Sequence, residues 1–238
     1  PRLGRERASR VALVVAEFEF VLRSAFGFAH FARQVERGAI FVPTILRRRA
    51  TEFAVIGRRG YAVVIIAFEA FGMFVAQACE RIVIASGLEW TIVRASWFYQ
   101  NFSEGAFVDM VLGGAITLPA RDQVEPFVDA DDIADVAVAA LTEDHHNGQV
   151  YEVTGPRLMS LADVAADLSR ATGREISYED VPHEAFVAEV AASGAPRDVV
   201  WMLDYLFSTV LDGRNAHLTD GIQRALGRPP KDFAAYAR

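Results

Sequence analysis

Within eight residues, Arg94, Ser96, Trp97, Phe98, Tyr99, Gln100 and Asn101 bring together a cation, a hydroxyl, three aromatic rings and two carboxamides. Flat aromatic walls with amide and hydroxyl groups between them suit a planar ring carrying its own hydrogen-bonding groups, such as a nicotinamide or an aromatic substrate. The bland alternative is that Trp97 and Phe98 are core and Asn101 is a helix cap. Position favours a site. Leu88 to Val93 is a short, apolar, β-branched run, too short for a helix, and it reads as a strand buried in a parallel sheet. Ligands of open parallel sheets bind beyond the carboxyl ends of the strands, where this cluster falls. Ser96, Trp97 and Phe98 are therefore candidates for holding a cofactor, and Tyr99, Gln100 and Asn101 for lining a substrate pocket.

The elements needed to position such a cluster can be read on both sides of it. The segment 73–85 predicts a helix stopped at Ser86-Gly87, since glycine closes a helix at low cost in the left-handed conformation. Before it, Ala62 to Ala67 reads as a buried strand. Tyr61 to Cys79 is almost long enough to span a bilayer, but Glu69 at its centre and Gln77 make a strand running into a helix the better reading. After the cluster, Ser103 to Leu112 is a helix or loop, and Glu125 to Val128 is a short extended segment delivering Asp129 to a helix over Asp131 to Leu141. Asp129 or Asp131 would cap that helix, with further acid facing its positive end. The strand in VYEVTG follows, then a helix from the Ser160 cap to Thr172-Gly173, a strand from Glu175 to Tyr178, and helices from His183 to Ser193 and Pro196 to Val210. Residues 1–150 are thus expected to form a dinucleotide-binding domain and 151–238 a small, mostly helical cap where a substrate pocket would form.

The first third reads less clearly. Val11 to Ala16 or Phe18 to Leu22 is the first strand, a helix runs from about Ala25 to Arg37, and Ile40 to Leu46 is a second strand interrupted by Pro43. A dinucleotide fold normally places G-x-G-x-x-G between first strand and helix, because only glycine lets the backbone approach a pyrophosphate. Here Gly27 alone stands in that place. Arg47, Arg48 and Arg49 end the second strand, where an arginine accommodates a 2′-phosphate; the alternative is a solvated basic turn. Between Phe53 and Ala62 there is no room for a further strand and helix, since a βαβ unit needs about 30 residues. Residues 1–80 contain no Asp and no Asn, with twelve Arg and seven Glu, whereas all fifteen Asp follow. The two parts carry about +5 and −12.

Several chemistries are excluded or disfavoured. The only lysine is Lys231, with no tyrosine four residues before it, so a Tyr-x-x-x-Lys proton relay is absent from the sequence. Asp129, Asp131, Asp132 and Asp135 cross a helix start without a nearby His or Cys, which suits capping, and no metal site is expected. His145-His146 precedes Asn147-Gly148 and reads as a surface loop. His217 could point into a pocket with Arg214 and Tyr205, although an isolated histidine is often structural. The formal net charge of −7 weighs against nucleic-acid binding, and Cys79, the single cysteine, fits a reducing cytoplasm without disulfides. No catalytic residue is assigned.

The segments AQACERIV, SGLEWTIVRASWFYQNFSEG, PFVDADDIADVAVAALTED, GQVYEVTGPR and LDGRNAHLTDGIQRALGRPP, in that order, resemble the NmrA-like, NAD(P)-binding atypical short-chain dehydrogenases of actinobacterial type. The resemblance spans roughly two thirds of the chain, with a weaker echo in FARQVERG and the arginines after it. It implies a Rossmann-like α/β fold, a doubly wound parallel sheet with a helical C-terminal substrate region, binding NADP or NAD with Arg94 to Asn101 on the nicotinamide side. The implied function is an NAD(P)H-dependent oxidoreductase acting on a small quinone-, enone- or imine-like molecule, cytoplasmic, as a monomer or homodimer, without membrane or direct nucleic-acid partners. The family's namesake suggests a non-catalytic NAD(P) redox sensor instead, and a chain that has lost its cofactor is a third reading.

Overall fold

The computed structural model describes residues 53–58, 61–67, 80–105 and 107–238. Its strands are β1 (Phe53–Arg58), β2 (Tyr61–Ala67), β3 (Glu89–Ala95), β4 (Ala115–Leu118), β5 (Val124–Glu125), β6 (Gln149–Val153), β7 (Met159–Ser160) and β8 (Ser177–Asp180). The helices are α1 (Val108–Gly113), α2 (Ala130–Thr142), α3 (Leu161–Thr172), α4 (His183–Ala192), α5 (Arg197–Tyr205), α6 (Gly221–Leu226) and α7 (Phe233–Tyr236). The readings made for Gly27, Arg47, Arg48 and Arg49 lie outside the described residues.

The apolar run after Leu88 becomes an inner strand of the main sheet, whose order among the described residues is β1-β2-β3-β6. β2, β3 and β6 are parallel, with Tyr61 opposite Glu89 and Ala95 opposite Val153. Ile92, Val93 and Ala95 expose no surface, as a strand covered on both faces requires. β1 is not singled out in the sequence, where the stretch from Phe53 to Ala62 is too short for a further strand with its helix. It pairs antiparallel to β2 with Arg58 opposite Tyr61, and an antiparallel partner needs only two connecting residues where a parallel one needs a crossover. Because β2 is a paired sheet strand, the segment beginning at Tyr61 enters the sheet; among the described residues no helix is long and apolar enough to cross a membrane.

α2 packs on this sheet through Ile133, Val136, Ala137 and Ala140 against Val93, Ala95, Tyr151 and Val153. Each fully buried branched side chain contributes roughly 1.5–3 kcal/mol. A second apolar cluster lies past the strand ends, where Trp97, Tyr99, Phe102, Phe107 and Phe127 meet α3 and Phe186, Phe207 and Phe233 from the C-terminal third. α3 is fixed at its start by reciprocal hydrogen bonds between Ser160 and Asp163 and ends at Gly173 in the left-handed conformation (φ 67°), as its sequence predicts. The helix expected over Pro196 to Val210 is α5 followed by a wider turn at Leu206–Val210.

Two glycines allow the C-terminal part to close on the sheet. A Cβ on Gly221, the first residue of α6, would sit 2.0 Å from the Glu152 carbonyl oxygen of β6. A Cβ on Gly155 would sit 2.0 Å from the Phe127 oxygen and 2.9 Å from the Tyr99 hydroxyl. Backbone meets backbone at both places, and neither clash can be relieved by turning a side chain.

Candidate functional site

Past the carboxyl ends of β3 and β6 the chain opens into a cleft of about 370 Å³, counting its solvent-open part. β3 and the residues after it supply Arg94, Ser96 and Trp97; β6 and the residue after it supply Glu152 and Thr154; β5 supplies Glu125; and the segment before α6 supplies Asn215 and His217. The rim is held by backbone bonds. The Ser96 N–H donates to the Val153 oxygen (3.2 Å), the Val128 N–H to the Trp97 oxygen (2.8 Å), and the Gly155 N–H to the Pro126 oxygen (3.1 Å). These bonds continue the sheet past its last regular pair and bring β5 against the strand ends.

The charged groups on one wall answer one another. Arg94 makes two 2.8 Å hydrogen bonds to the Glu80 carboxylate and lies 4.0 Å from Glu152. Bonding to Glu80 raises the Arg94 pKa beyond its already high ordinary value. His217 Nε2 stands 3.9 Å from Glu152 on the exposed side.

The other wall has two groups without partners. The Ser96 Oγ and both Glu125 carboxylate oxygens are enclosed and have no hydrogen-bond partner among the described residues. Glu125 is 3% exposed. Burial, with the nearby negative charge of Asp212 adding to it, pushes its carboxyl up to about 7. Asp212 itself is held down to about 2 by its bonds to Arg214, so it stays ionised. Sequence reasoning did not single out Glu125. It had noted only the extended segment, and the missing partner is a property of elements distant in sequence.

The other expected site residues have contacts that can be named. Trp97 belongs to both cleft and core, 4% exposed and packed against Phe107, Phe127 and Phe207 at ring separations of 6.0–6.5 Å. Phe98 is half-buried against the sheet cluster. Tyr99 is fully buried; its hydroxyl donates to the Lys231 carbonyl oxygen (2.9 Å) and its ring meets Phe233 edge-on at 4.9 Å. Burial and then the charges of Asp232 and Asp129 push its phenol well above the ordinary range, the reverse of what a tyrosine proton relay needs.

Gln100 is spent on a helix start: its Nε2 donates to Asp129 Oδ1 (2.8 Å) and its Oε1 accepts from the Ala130 N–H (3.0 Å). The Asn101 carbonyl accepts from the Phe107 N–H (2.9 Å) and the residue is 8% exposed. Tyr205 stacks on Trp201 along α5 at 5.6 Å. His217 and Asn215 are at the cleft, while Arg214 is tied to Asp212.

The four acids around the start of α2 also have assigned contacts. Asp129 is the cap, accepting from the Asp131 N–H (3.0 Å), and it is the one fully buried carboxylate of the group. Lys231 Nζ reaches Asp129 at 2.7 Å, and Arg228 reaches Asp132 and Asp135 at 2.7 and 2.6 Å, so the C-terminal tail clamps this helix. The reading of His145-His146 as a surface loop is corrected in its second half. His146 exposes no surface, because the Thr91 hydroxyl donates to its carbonyl (2.7 Å) and its Nδ1 bonds the Tyr151 hydroxyl (2.8 Å). Burial lowers its pKa, with His145 adding to the effect. Glu143, His145 and His146 each place one ligand-type atom within 4.8 Å of the others, before the start of β6 and so away from the cleft.

Comparison with known proteins agrees with this architecture. The chain is 34% identical over 159 residues to an NAD(P)H azoreductase of Xenophilus azovorans, covering 67% of the chain and 55% of that protein. It spans about half the length of the curated relatives it matches. Among solved structures, the NADPH-dependent quinone oxidoreductase of Escherichia coli in complex with NADPH superposes with a TM-score of 0.62 at 19% identity, covering 89% of this chain and 80% of that one. A nucleoside-diphosphate-sugar epimerase of Staphylococcus aureus superposes with a TM-score of 0.64 at 18% identity, covering 75% and 64%. These likenesses establish a Rossmann-like α/β fold. A sequence model of the NmrA-like family matches residues 74–222, well over half of the chain, and the protein therefore belongs to the NmrA-like family.

Proposed function

We propose that the protein is an NAD(P)H-dependent oxidoreductase of the atypical short-chain dehydrogenase class, and that it reduces a small planar quinone-, enone- or imine-like acceptor. The observation that carries this reading is the cleft at the ends of β3 and β6, in which Ser96 Oγ and the Glu125 carboxyl are buried without partners among the described residues. Such groups cost stability until a ligand supplies the missing bond. Relatives named as an azoreductase and a quinone oxidoreductase support the class of acceptor.

The residues present fit the nicotinamide end of a dinucleotide. Ser96 offers a hydroxyl to a carboxamide and Trp97 a flat wall to a ring. The phosphate end, expected at Gly27 and Arg47 to Arg49, lies outside the described residues. When bound, the reduced dinucleotide supplies the hydride; the chain supplies position, hydrogen bonds and exclusion of water. The Arg94–Glu80 pair holds the end of β3 in register with the rim. The Thr219 bonds to Thr154 and to the Glu152 carbonyl, with the Gly221 contact, hold the segment carrying Asn215 and His217 at the cleft. Residues 151–238 would form the larger part of the substrate side, on the framework of residues up to 150.

The test is a titration with NADPH and NADH followed by nicotinamide fluorescence, then turnover with a panel of quinones and imines. Saturable binding, tighter for NADPH, with oxidation in the presence of an acceptor is the expected result. Binding that distinguishes reduced from oxidised cofactor without turnover on any acceptor would favour the redox-sensor reading. No binding of either cofactor would end the oxidoreductase reading.

A further inference from the structure

Glu125 is the feature of the cleft that the fold does not explain. A glutamate at the second position of a two-residue strand could point to solvent at little cost, yet this one is 3% exposed and both its oxygens lack partners among the described residues. On its own strand it pairs by backbone with Met159 of β7, which offers nothing to a carboxyl. The charged and titratable groups around it come from three other elements: Arg94 of β3, Glu152 of β6, and Asp212 and His217 of the segment before α6. Arg94 is engaged with Glu80, Asp212 with Arg214, and His217 stands nearest Glu152. Among the described residues no cation pairs with Glu125, and the charge that adds to its burial is the negative one of Asp212. A buried carboxyl in such surroundings keeps its proton, and a carboxyl with its proton is a hydrogen-bond donor.

We propose that Glu125 presents this proton to the carbonyl oxygen or imine nitrogen of a neutral acceptor lying in the cleft, first as a hydrogen bond and then, during reduction, as the transferred proton. The proposal rests on the reductase reading given above. The Glu125 Oε–H bond breaks and an O–H or N–H bond forms on the acceptor, which takes up a hydride from the reduced dinucleotide as co-reactant. The acceptor thereby gains two electrons and two hydrogens, and the Glu125 carboxylate recovers its proton from water. With no Tyr-x-x-x-Lys pair in the sequence and the Tyr99 hydroxyl held by the Lys231 carbonyl, Glu125 fills the part of proton donor. It discriminates as well, because an anionic acceptor would offer its negative end to a group unable to balance it.

The experiment uses the full chain without cofactor, with ¹³C-labelled glutamate and with menadione as the neutral quinone probe. One carboxyl resonance absent from E125Q should titrate near neutral pH, and menadione affinity, followed by tryptophan fluorescence, should fall about tenfold between about pH 6 and about pH 8. E125Q, which keeps an N–H donor, should bind with no such fall, and E125A weakly at both values. Titration of Glu125 in the ordinary carboxylate range, absence of menadione binding at any pH, or the same pH profile in wild type and E125Q each overturns the assignment. Turnover of NADPH with menadione whose pH profile is unchanged in E125Q keeps the reductase reading while refuting the role of Glu125. Menadione binding with the expected profile but no NADPH binding supports the hydrogen bond from Glu125 and refutes the reductase reading together with the proton transfer.

Discussion

Replacing Glu125 by glutamine should stabilise the protein at alkaline pH and leave its stability unchanged in acid. In the unfolded chain the carboxyl loses its proton near the ordinary value of 4.5, whereas in the fold it keeps it up to about 7. Between these values the folded state binds the additional proton, so stability falls as pH rises. At about 1.4 kcal/mol per pH unit, the whole interval amounts to about 3 kcal/mol lost by the wild type above pH 7 and none lost below pH 4.5. E125Q has the same shape and no charge, so it escapes the loss. The assay is urea unfolding followed by fluorescence, for which Trp97 is a suitable reporter since it is 4% exposed in the fold. Measured at about pH 4.5 and about pH 8, the variant should move from parity with wild type to an advantage of about 3 kcal/mol. An equal difference at both values would mean that Glu125 ionises normally in the fold and has water or a counter-charge beside it, and would refute the reasoning.

Asp129→Ala removes the cap of α2 (about 1 kcal/mol) and orphans the Gln100 amide (about 1–3 kcal/mol), so unfolding should show a loss of about 3 kcal/mol, with Asp129→Asn losing about half as much. Ser96→Ala should leave the unfolding midpoint unchanged or slightly raised, because the lost hydroxyl has no partner, while NADPH affinity falls about tenfold in a fluorescence titration. Gly221→Ala should cost about 2 kcal/mol in unfolding experiments and weaken menadione binding, since a Cβ 2.0 Å from the Glu152 oxygen must lift α6 and the Asn215 to His217 segment with it.

The elements legible in the sequence are those whose reason is local. β3 follows from an unbroken apolar run, α2 and α3 from an acid or serine placed before an amphipathic stretch, and the end of α3 from Gly173. β4, β5 and β7 have two to four residues each, and what makes them strands is a partner far away: Val124 opposite Ser160, Ala115 opposite Ser177. No window of the sequence contains both halves of such a pair. The same holds for His146, where two letters beside Asn-Gly look like a turn and the burial comes from Thr91 and Tyr151.

The site divides in the same way. That a cluster would stand at the carboxyl end of a parallel strand follows from order along the chain, and the cleft is there. Which side chains face it does not, because residue type cannot separate a ring that lines a cleft from a ring that fills a core, and Trp97 does both. Gln100 could reach a ligand only if Asp129 and Ala130 did not take both ends of its amide. Glu125 carries the opposite lesson, since its chemistry comes from what is missing around it. A fold selected for stability alone would turn this carboxyl to water or give it a cation, and Arg94 lines the same cleft. Binding that arginine to Glu80 leaves the glutamate without a partner among the described residues, at a stability cost that an apolar residue would avoid. The arrangement is reasonable if the bond missing in the free protein is the one a bound acceptor completes.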